Sequence, residues 1–263
     1  MVARSVRVAS LIAALTGALA LGWSAPAAAA TAFADWAAVV IAGDWHASGG
    51  VPSEAFDNAR RDVSQALERA GFQQDNLRQF SVRPERYRDA PFKSDPREIY
   101  RVLGELTART AGGCLVYFTS HGAPQGVVVD QIILPPAILG AMIDRTCGAR
   151  PTVVVISACF SGVFIPDLAK PNRMVLTAAR PDRTSFGCGQ DNKYPYFDDC
   201  FLQSIKGAAD FPTLAVAARD CVAVREVETG MRPPSEPQVW IGPELRPMLP
   251  LYSFAGASPA AAR

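Results

Sequence analysis

Histidine is scarce in this chain: its 263 residues include two, His46 and His121. The six cysteines form no Cys-x-x-Cys pair and the histidines no His-x-x-x-His pair, so the spacings used by metal sites are missing. No metal and no cofactor are expected. Charge is sparse as well, at 19% of residues, and the signs nearly cancel to a formal net charge of +1. That balance offers no electrostatic footing for a nucleic acid or an anionic membrane surface. No internal repeat is visible, and after the first thirty residues no apolar run approaches the length of a membrane span.

Those first thirty residues hold Arg4 and Arg7, an apolar stretch from Val8 to Trp23, and Ala28-Ala29-Ala30. This is the anatomy of a cleavable secretory signal. A retained membrane anchor is the alternative, but the run falls short of the ~20 residues a span needs and Gly17 interrupts it. No cysteine follows to carry a lipid anchor. The expectation is a signal peptide over 1–30 and a chain that starts near Thr31. The protein would then be secreted or periplasmic, with no membrane association after signal removal. Loss of Arg4 and Arg7 leaves 24 basic against 25 acidic residues.

At 49% hydrophobic, the chain can bury one substantial core, so a single domain over 31–254 is expected. The Ala/Pro-rich tail 255–263 reads as disordered. In order, Trp36 to Ala42 reads as a strand, followed by a long turn from Gly43 to Pro52. An amphipathic helix comes next, with Ala59, Val63, Ala66, Leu67 and Ala70 on one face and Gly71 closing it. Leu77 to Val82 is a weaker strand, and Arg83 to Ser94 a charged loop. Asp95-Pro96 caps a second helix, with Ile99, Val102, Leu103 and Leu106 inward and Gly112-Gly113 at its end. Gly126 to Leu134 reads as a hairpin and Pro136 opens a third helix. Further on come a strand over 173–178, a long loop from Ala179 to Asp199, helices over 201–208 and 212–228, and a last strand over 238–242.

Two stretches stand out from this α/β succession. Val153-Val154-Val155-Ile156 is a continuous β-branched run, as in a strand buried on both faces of a parallel sheet. It stops at a small, turn-prone segment that places Cys159 just past the strand's carboxyl end, where open α/β sheets build their sites. Leu115 to Thr119 has the same form and delivers His121. Their separation of 38 positions suffices for a crossover helix, so the strands can be parallel neighbours that bring imidazole and thiol together. Ser161 lacks the Gly-x-Ser-x-Gly elbow of a serine nucleophile.

The motifs Tyr117-Phe118-Thr119-Ser120-His121-Gly122 and Val155-Ile156-Ser157-Ala158-Cys159-Phe160-Ser161-Gly162 resemble those of the legumain-type cysteine peptidases. The resemblance implies the caspase-hemoglobinase fold: a three-layer αβα sandwich around a mostly parallel sheet. It also implies an endopeptidase acting on peptide or protein substrates through a thioester. Cys159 would be the nucleophile, His121 the acid and base, and the backbone N–H groups of Gly122 and Cys159 the oxyanion donors. Thr184 and Ser185 match the substrate pocket wall. Ser157 occupies the place of a pocket glutamate, and Phe160 that of another acid. The arginine that holds asparagine in that family has no single counterpart, because 56–62 aligns in more than one register, so the residue preference stays open. Asp182, Arg183 and Asp191 are candidate charges.

Asp44 and His46, on the loop after the first strand, are further substrate-binding candidates. His46 is also a rival base, and Asp44 a group that orients a histidine or forms a turn. A transpeptidase using the same dyad is an alternative function, as is a non-catalytic caspase-like binding module. The latter would be marked by loss of His or Cys, and both are present. The chain ends soon after its last strand, so the inhibitory C-terminal prodomain of animal and plant legumains is not expected. With Cys159 kept as a thiol, the expected pairs are Cys114–Cys147 and Cys188–Cys200, with buried free thiols as the alternative.

Overall fold

The structure, a computed structural model, describes residues 31–256 and the first two residues. The expected signal segment, apart from Met1 and Val2, and the tail from residue 257 lie outside the described residues. Elements follow in the order β1 (Ala37–Ala42), α1 (Ala55–Ala70), β2 (Leu77–Ser81), β3 (Phe92–Lys93), α2 (Pro96–Arg109) and β4 (Cys114–Thr119). Then come β5 (Gly122–Ala123), β6 (Gly126–Val129), β7 (Ile132–Leu134), α3 (Pro136–Thr146) and β8 (Thr152–Ser157). The described part is completed by α4 (Ile165–Leu168), β9 (Arg173–Thr177), α5 (Tyr196–Ser204), α6 (Phe211–Glu228) and β10 (Gln238–Ile241).

Seven of these strands form one sheet in the order β10-β9-β8-β4-β1-β2-β3. All neighbours run parallel except β10, which is antiparallel to β9. The three central strands, β1, β4 and β8, are buried at every residue. Alternate side chains therefore feed two cores. Ala38, Val40, Leu115, Tyr117, Val153 and Val155 pack with Val63 and Leu67 of α1, Phe201 of α5 and Leu214 of α6. On the other face Val39, Ile41, Val116, Phe118, Val154 and Ile156 meet Leu103 and Leu106 of α2 and Ile143 of α3. At about 1.5–3 kcal/mol for each large apolar side chain removed from water, these two layers hold the sheet between the helices. The expected α/β sandwich with a mostly parallel sheet is borne out.

Local signals act as read. Asp95 caps α2 by accepting from the amides of Arg97 and Glu98, and Gly71 ends α1 at φ 115°, a left-handed conformation open to glycine. The elements differ from the expectation in places: strand β3 lies within the charged loop and the short helix α4 follows the nucleophile segment. Helix α1 begins at Ala55, ahead of its periodic face. The hairpin gains a third strand, β5, immediately after His121. Helix α5 begins at Tyr196 rather than at Phe201, because Pro195 and the acids Asp198 and Asp199 make a favourable first turn.

The cysteines follow one expected pairing and break the other. Cys114 pairs with Cys147. Cys200 pairs with Cys221, because Cys200 points from α5 into the core beneath α6, while Cys188 stays a free thiol. The Cys200–Cys221 link spans 21 residues. Replacing both cysteines with serine is expected to cost about 3 kcal/mol of unfolding free energy by the loop-entropy argument, read as a lower urea midpoint together with a larger m-value, because the unfolded chain without the link is more expanded.

Candidate active site

Strands β4 and β8 pair in parallel from Cys114↔Thr152 to Thr119↔Ser157. That last rung sets the site, because His121 and Cys159 each stand two residues past it on neighbouring strands. The Ser120 amide continues the ladder to the Ser157 carbonyl at 3.0 Å, after which both chains turn. His121 and Cys159 are half-buried. Gly122 runs so close to the nucleophile segment that a Cβ there would stand 2.1 Å from the Cys159 carbonyl oxygen. Only glycine fits that approach.

The thiol is held by the segment after β9. The Ser185 amide donates to Cys159 Sγ at 3.3 Å, and Sγ lies 3.4 Å from the Ser185 carbonyl. Burial pushes the Cys159 thiol above its ordinary value, against the stabilising Ser185 amide. Phe160, the next residue, adopts the left-handed conformation at φ 57°, uncommon for a bulky side chain and concentrated at functional turns. Its amide donates to the Arg183 carbonyl at 2.7 Å. Ser161 is buried, and its hydroxyl accepts the Ala179 amide at 3.1 Å, which ties it to the scaffold.

His121 Nε2 lies 3.0 Å from the His46 carbonyl oxygen. A carbonyl only accepts, so Nε2 carries the proton there and Nδ1 is the free nitrogen of the neutral ring. The Phe56 ring meets the imidazole edge-on at 5.0 Å. The His46 side chain turns the other way: Nδ1 is 2.8 Å from Asp44 Oδ1, and Trp45 packs on its ring at 3.8 Å. Asp44 also accepts the amides of Trp45 and His46, so it shapes the turn and orients His46, not His121. Among the substrate-binding candidates, Thr184 is exposed and Ser185 half-buried beside the thiol. Ser157 is buried, its hydroxyl donating to Asp198.

Asp198 lies in the segment 179–199 that reads as a loop, so the sequence alone does not single it out. It is fully buried and accepts from Tyr117, Thr119 and Ser157. The helix-start signal at Pro195 was the one available pointer.

The class of protein follows from fold and family together. The chain is similar in structure to caspase-1 from Spodoptera frugiperda, with a TM-score of 0.57 and 14% identity, covering 81% of this chain and 88% of that one. At that identity the likeness shows the fold alone, and the fold is the caspase-hemoglobinase one. No curated protein matches in sequence. Residues 105–217, which contain both motif strands, match the model of the peptidase C13 family. The resemblance to the legumain family is thereby borne out, and the segment that carries both motifs is one shared with a family of cysteine peptidases.

Proposed function

We propose that the protein is an exported cysteine endopeptidase in which Cys159 attacks the scissile carbonyl and His121 manages the protons. The observation that carries this reading is the delivery of His121 and Cys159 from one β-sheet rung, with Gly122 against the Cys159 backbone. Burial leaves the resting nucleophile as a thiol, so its proton passes to the imidazole as attack begins. The sulfur forms a thioester, the carbonyl oxygen gathers negative charge against the N–H groups of Gly122 and Cys159, and the imidazolium protonates the departing amine. Water, deprotonated by the same imidazole, then releases the acid. Thr184 and Ser185 border the thiol and Asp44 and His46 line the loop beside it, so these residues contact the peptide.

Export is supported by the N-terminal charge and hydrophobicity pattern and by two disulfides, which persist in oxidising compartments. An acyloxymethyl ketone probe, which alkylates a catalytic thiol, is expected to label the wild type at Cys159 by peptide mapping. Equal labelling of Cys159→Ala would overturn the assignment.

A further inference from the structure

Past the Thr119↔Ser157 rung the backbone ladder between β4 and β8 runs out, two residues before the groups that must meet. A side chain takes over there. Asp198 Oδ2 accepts Thr119 Oγ1 from β4 at 2.7 Å and Ser157 Oγ from β8 at 2.9 Å, joining the two strand ends through one atom. Its Oδ1 accepts the Tyr117 hydroxyl from the same face of β4 at 2.6 Å. Both oxygens are thus committed to the strands that carry the dyad, and the residue has no exposure.

The support behind the carboxyl group is stiff. Asp198 lies in the first turn of α5, flanked by the fully buried Phe197 and Phe201. Two residues on, Cys200 ties α5 covalently to α6, and Asp199 pairs with Arg225 of α6. The position of the two strand ends is therefore referred to the helical layer on that side of the sheet.

We propose that Asp198 is a positioning residue of the peptidase reaction, holding the carboxyl ends of β4 and β8 so that His121 and Cys159 keep the separation proton transfer needs. Burial pushes its carboxyl up to about 7, while the three hydroxyl donors pull it back. Below that value the neutral acid donates to one of the hydroxyls, which can turn to accept, so the bridge persists in either state. A misplacement of reacting groups by about 1 Å can cost 10²-fold in rate, and that sets the scale.

The inference rests on the proposed dyad, and the test separates the two. Wild type, Asp198→Ala, Asp198→Asn and Ser157→Ala are titrated for active sites with the acyloxymethyl ketone, and kcat and KM for a peptide substrate are referred to titrated sites. If the wild type neither labels at Cys159 nor cleaves peptide, the dyad reading fails and the positioning role falls with it. With an active wild type, Asp198→Ala is expected to lose about 10²-fold in kcat per site with KM within about threefold. Asp198→Asn, which keeps the shape and one acceptor, should recover most of that loss. Ser157→Ala, which removes one of the three donors, should lose several-fold in kcat alone. A purely structural Asp198 would lower Tm and the number of titratable sites but leave kcat per site unchanged, and that result overturns the proposal. Should Asp198→Ala not fold, unchanged kcat per site in Ser157→Ala overturns it equally.

Discussion

Cys159→Ala is expected to lose peptide hydrolysis by about 10⁶-fold in kcat, the scale on which removing the nucleophile of a concerted hydrolytic unit acts. Alanine deletes the sulfur but leaves the backbone N–H groups of Gly122 and residue 159 in place, so residual catalysis is that of binding and oxyanion stabilisation. KM, or the dissociation constant of a peptide measured directly, should change little. The variant should also fold normally, since a half-buried thiol is replaced by a smaller apolar group. Cys188, the other free thiol among the described residues, does not substitute for it: burial and the neighbouring charges of Cys159 and Asp198 push that thiol well above its ordinary value. A stopped-flow assay with active-site titration checks the loss. Retention of more than a hundredth of the wild-type rate would move the nucleophile elsewhere, and Ser161→Ala would then be the next variant to measure.

How much of this was legible in the sequence depends on whether the signal was local. Continuous apolar runs at Val153–Ile156 and Leu115–Phe118 imply parallel buried strands, and the structure pairs them directly. Gly122 reads as special beside His121, though the reason lies in a long-range approach to the Cys159 carbonyl. Other features depended on partners distant in the chain. Cys200 chose Cys221 over Cys188 because α5 and α6 pack together, a tertiary fact that spacing cannot encode. Asp198 reads as one acid among several in a polar segment. Its meaning comes from Tyr117, Thr119 and Ser157, which lie 81, 79 and 41 residues away. The His46 carbonyl was invisible for a different reason: it is a backbone atom, available whatever the side chain.

That last point separates the two histidines. His121→Ala is expected to lose about 10² to 10⁴-fold in kcat/KM, the range for removal of a positioned acid–base group. It should also flatten the pH profile of the wild-type rate, since the group that moves the proton is gone. In the free enzyme the Cys159 thiol is pushed up by burial, so its thiolate fraction, and with it alkylation by iodoacetamide, should rise with pH beyond the range of a free cysteine. His46→Ala removes an imidazole bound to Asp44 but keeps the carbonyl that accepts from His121 Nε2. The orienting contact survives, so the rate should stay within several-fold of wild type and the profile should keep its shape. If His46→Ala proved the more damaging substitution, His46 would be the base and the Nε2 contact incidental, even with Cys159 established as the nucleophile.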